Sequence, residues 1–108
     1  YPYIDANNGG SFLGTIEVYE LLINLCDENT KIIPGHGKQT TVETVKLAIE
    51  MLQEIKSRIQ LMIKEGKDLD EILRSDISVD YDNRWDSGRR IGGARGMISV
   101  AFSELVKL

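Results

Sequence analysis

The sequence predicts a helix-rich α/β chain of about four helices with one or two short strands, and three observations lead there. Apolar residues recur at three- and four-residue spacing over long stretches, only Lys31 to Pro34 reads as a strand, and polar or glycine-rich segments separate these runs. The strand is the anomaly. A lone strand cannot satisfy its own backbone groups, so Ile32 and Ile33 must pair with strands from elsewhere or be covered in another way, and the chain reads as incomplete.

In chain order, Y-P-Y-I-D-A-N-N-G-G over residues 1–10 is a loop, since Pro2 fixes its own φ and Asn-Asn-Gly-Gly tolerates positive φ. Ser11 is placed to cap the helix that follows, whose Ile16, Tyr19, Leu22, Ile23 and Cys26 share one face. Asp27, Glu28 and Asn29 end that pattern. Lys31 to Pro34 is then the short strand, closed by a proline that cannot donate to a ladder, and Gly35 and Gly37 make the next turn. Thr40 and Glu43 form a capping box for a long helix with a stripe of Val45, Ala48, Ile49, Leu52, Ile55, Ile59, Met62 and Ile63. Gly66 is a left-handed stop. Asp68 and Glu71 repeat the box for a short helix carrying Leu69, Ile72 and Leu73. Residues 76–90 are polar and read as irregular. A last helix is expected from about Ile91, with Ala94, Met97, Ile98, Ala101, Phe102 and Leu105 on one side.

Composition narrows the function classes. At 108 residues, 42% hydrophobic and 28% charged, the chain has the size and balance of one soluble domain. A formal charge of -4 argues against nucleic acid or an anionic membrane surface as partner. No apolar run approaches the roughly 20 residues that span a bilayer, and the N-terminus lacks a signal-peptide pattern. Cys26 is the sole cysteine, so it makes no internal disulfide and reads as a small buried hydrophobe.

His36 is the only histidine, set between Gly35 and Gly37 after a β-branched pair. The order P-Y-I-D, then G-G-S entering a helix, then I-I-P-G-H-G before a capped helix resembles the C-terminal part of metallo-β-lactamase-fold, zinc-dependent hydrolases. The resemblance covers residues 1 to about 65 and implies the C-terminal fragment of an αββα sandwich. It implies that His36 is a metal ligand, with Gly35 and Gly37 supporting the metal loop, and that residues 1–10 border the same mouth. Residues 66–108 resemble the helical C-terminal extension of some branches, expected to pack on residues 1–65.

The family's H-x-H-x-D-H motif, its next histidine and its bridging aspartate would all lie upstream of Tyr1. One histidine cannot make the three or four protein ligands of a zinc shell, so the chain alone is expected to retain no zinc and to be inactive. The expected partners are the missing N-terminal half of the domain and further copies of the chain. The alternative is a non-catalytic helical association module derived from such an enzyme. No residue is assigned a catalytic or substrate-binding role, because specificity in this fold lives in loops outside the chain.

Other motifs yield to plainer readings. D-Y-D-N-R-W-D-S-G over residues 80–88 is not an EF-hand loop, since Arg84 and Trp85 stand where an oxygen ligand and a glycine are needed. Arg84, Arg89, Arg90 and Arg95 could hold an anion, but Asp80, Asp82 and Asp86 nearby make a surface charge network the expected outcome. R-R-I-G-G-A-R-G, residues 89–96, lacks the preceding strand and the spacing of a dinucleotide loop.

Overall fold

A computed structural model describes residues 1–33, 40–85 and 93–108. Among them are five α-helices and one two-stranded antiparallel sheet: α1 (Phe12–Leu25), β1 (Lys31–Ile32), β2 (Thr40–Thr41), α2 (Val42–Lys64), α3 (Leu69–Arg74), α4 (Val79–Trp85) and α5 (Gly93–Leu105). The helix-rich expectation with one or two short strands is met, with a helix more than expected.

Helix α1 starts where Ser11 takes an extended conformation and its hydroxyl accepts from the Gly14 amide at 3.0 Å. It stops at Cys26, after which Asp27 to Thr30 fold into a turn. There the Asp27 carboxylate accepts from the Asn29 amide at 2.9 Å and from the Thr30 hydroxyl at 3.1 Å. The turn delivers β1, which pairs with β2 in the register Lys31 to Thr41 and Ile32 to Thr40. The strand is thus shorter than expected, ending at Ile32, and Pro34 lies outside the described residues.

That pairing also moves the start of α2. Thr40 is held extended opposite Ile32, so the cap passes one residue on to Thr41, whose hydroxyl accepts from the Thr44 amide at 3.4 Å. The expected Thr40–Glu43 box is therefore not the one used. At the other end the stop is as expected: Gly66 has a φ of +82°, its amide donates to the Ile63 carbonyl at 3.0 Å, and Lys67 reaches back to Met62 at 3.0 Å. The Asp68–Glu71 box of α3 is also present, with the Glu71 amide on the Asp68 carboxylate at 2.9 Å and the reciprocal bond at 3.3 Å.

Residues 79–85, expected to be irregular, form α4 instead. Asp76, left-handed at φ +53°, turns the chain out of α3, and Asp80 and Asp82 lie in the favourable first turn. The decisive contacts come from far away in sequence. The Arg58 guanidinium donates to both Asp80 oxygens at 2.8 and 2.9 Å and to the Ile77 carbonyl, and it lies 5.3 Å from the Tyr81 ring centroid. The Tyr1 hydroxyl donates to Asp82 at 2.6 Å and to the Ser78 carbonyl at 3.1 Å, and the Tyr1 amino group donates to the Trp85 carbonyl. Ile91, the expected start of the last helix, lies outside the described residues.

Helix α2 is the centre of the core. Helices α1 and α5 both pack on it and on each other, and α3 packs on α5. The hydrophobic cluster joins Ile4, Phe12 and Ile16 to Met51, Leu52, Ile55 and Ile59 and to Ile72, Met97, Ile98, Ala101 and Leu105, so it draws from both sides of residue 65. The predicted α2 stripe is buried from Val45 to Ile59, with Met62 and Ile63 half-buried, and Val42 and Met51 join it. This stripe is covered within the chain.

Candidate functional site

The segment carrying His36 leaves β1 and re-enters at β2, and three features hold its two ends. The Asp27–Thr30 turn sets the direction of β1, the ladder ties Ile32 to Thr40, and the Thr41 cap with buried Val42 and Val45 locks β2 onto α2. Gly35, His36 and Gly37 themselves lie outside the described residues, as do Asp86, Arg89 and Arg90. The described residues contain no group of three or more His, Cys, Asp or Glu side chains placed to hold a metal ion. The described residues alone therefore offer no zinc shell.

Among the described residues, an open cleft of about 490 Å³ lies between the N-terminal loop and α5. Tyr3, Asp5 and Asn7 stand on one wall, and Ser99, Ser103 and Lys107 on the other. The loop wall is closed on itself: the Asp5 carbonyl accepts from the Asn8 amide at 3.1 Å and the Gly10 amide at 2.7 Å, and the Asp5 carboxylate accepts from the Asn8 side chain at 2.7 Å. Only glycine fits at position 10, where a Cβ would come within 2.6 Å of the Asp5 carbonyl oxygen.

Where the loop enters α1, a residue from the far end of the chain completes the helix cap. The Glu104 carboxylate accepts from the Ser11 hydroxyl at 2.7 Å, the Phe12 amide at 2.5 Å and the Leu13 amide at 3.1 Å. With Gly14 on Ser11, the first amides of α1 all have partners, and a negative charge sits at the positive end of its dipole.

Two electrostatic perturbations stand out. The Arg58 hydrogen bonds hold the Asp80 carboxyl below its usual range, and Asp80 in turn raises Arg58 above the usual guanidinium value. Burial pushes the Tyr19 phenol up. The expected charge network around Arg84 is not formed by its described members: Asp80 pairs with Arg58, Asp82 accepts from Tyr1, and Arg84 lies 5.5 Å from the Trp85 ring centroid.

Sequence reasoning missed Glu104, Arg58 and Tyr1. Glu104 carried a usable signal, because it falls three residues after Ala101 and seven after Met97, on the buried face of α5, where a carboxylate needs a partner. Among the described residues no helix is long and apolar enough to cross a membrane. Comparison of the chain with protein-family models, curated proteins and solved structures found no match.

Proposed function

We propose that this chain is the C-terminal part of a zinc-dependent hydrolase of the metallo-β-lactamase fold, contributing His36 as one metal ligand and inactive by itself. The observation that carries the reading is the order of segments around His36. A turn-led strand, P-G-H-G, and a capped helix follow one another as in that family, and the described strands on either side pair with each other. In the parent enzyme zinc would supply a metal-bound hydroxide near neutral pH. This chain's part would be an imidazole ligand from His36, a role that the flanking Gly35 and Gly37 suit because glycine carries no side chain to crowd a metal.

A second observation bears on partners. Val18, Leu21 and Leu25 recur at helical spacing on α1 and are 60%, 61% and 84% exposed, and Ile33 after β1 is 82% exposed. A helix apolar on two faces belongs between two layers, which supports a missing half of the domain packing here. The same face favours the alternative, a helical module that associates with its own copies. The coding sequence decides between them. H-x-H-x-D-H in frame upstream of Tyr1 is the expected result, and an initiator methionine immediately before Tyr1 would favour the association module.

A further inference from the structure

We propose that α5 sets the conformation of the loop over residues 1–11 through Glu104, which acts as a positioning residue for the cleft between them. The loop is tied at both ends to residues 66–108. Its start is fastened by Tyr1 to Ser78, Asp82 and Trp85, and its end by Ser11, Phe12 and Leu13 to Glu104. Between these ties the segment has one anchor in the core, Ile4, and the small Asp5-centred turn.

The two ties are not equivalent. Tyr1 joins the loop to α4, a helix with no buried residue of its own, whereas Glu104 sits on α5 between buried Ala101 and Leu105. The Glu104 bonds are charge-assisted, and three donors converge on one carboxylate, so the geometry of the loop's exit follows the rotation and register of α5. Glu104 also lines the cleft, so the residue that fixes one wall belongs to the other. Removing the carboxylate leaves the Phe12 and Leu13 amides without partners and frees the wall beside Asp5 while the α2 core stays packed. The catalytic meaning rests on the proposed function, in which this loop borders the metal mouth, and the helical extension would then preorganise that mouth.

Amide hydrogen exchange on this chain, read residue by residue by NMR, tests the inference without metal. In Glu104→Ala, the Phe12, Leu13 and Gly10 amides should exchange about tenfold faster or more, with Leu52 and Ile55 of α2 unchanged. In the isosteric Glu104→Gln, which keeps one acceptor, the same three amides should accelerate by about threefold, and this variant is read if the alanine variant does not fold. Unchanged exchange at Phe12 and Leu13, or equal acceleration at Leu52 and Ile55, would overturn it, since the latter marks a global loss of stability. Zinc content and hydrolase activity do not enter the readout, so the failure of the metal-site reading would be seen separately.

Discussion

Gly10 and Gly96 show how one residue type carries opposite consequences at two positions. A Cβ at Gly10 meets Asp5 backbone at 2.6 to 2.8 Å, and backbone cannot swing aside as a side chain can. Gly10→Ala should cost about 1–3 kcal/mol, read from the urea midpoint. Gly96 lies inside α5 with nothing within 4 Å of its would-be Cβ, so Gly96→Ala should stabilise by about 0.5–1 kcal/mol through better helix propensity. Asp80 gives a pH prediction. Its folded carboxyl is held below the usual value by Arg58, so its contribution is present above the unfolded aspartate pKa of about 3.9 and lost as pH falls through the lower folded value. Thermal melts from pH 5 down to 2 should therefore fall less steeply for Asp80→Asn than for the parent chain. Parallel curves would remove Asp80 from the account.

Helix α2 is the element on which the others depend. Leu52, Ile55 and Ile59 are fully buried and face α1 and α5 packing, so Leu52→Ala should destabilise by about 2–5 kcal/mol in urea denaturation. Much of this element level was legible in the sequence because the signals were local. The apolar period of α2, the Ser11 cap, the Gly66 stop and the Asp68–Glu71 box all follow from residues within a turn of one another. What was not legible depended on distant partners. Thr40 lost its cap to a ladder with Ile32, and α4 forms from a polar run because Arg58 and Tyr1 hold it from 22 to 84 residues away in sequence. Glu104 on the buried side of α5 announced a need for a partner, but nothing local could say that the partner was the start of α1.

At the scale of the molecule, further copies of the chain were expected as partners, but the long α2 stripe is the chain's own core and offers them no surface. Among the described residues, an exposed apolar stripe of Val18, Leu21 and Leu25 runs along α1 instead. Light scattering at high concentration should show an assembly larger than a monomer, and Leu21→Glu, placing a charge in the middle of the exposed stripe, should return it to a monomer. A monomer at all concentrations would show that the α1 face does not drive association. The proposed site was legible only as a pattern, because a histidine between two glycines acquires meaning from the order of the segments around it. The most direct test of the central claim is zinc analysis of the gene product extended upstream of Tyr1, beside its His36→Gln variant and beside residues 1–108 alone. Stoichiometric zinc is expected in the extended protein, with a marked loss on His36→Gln and negligible zinc in the short chain. Zinc content in the extended protein that is unaffected by His36→Gln, or no zinc at all, would contradict it.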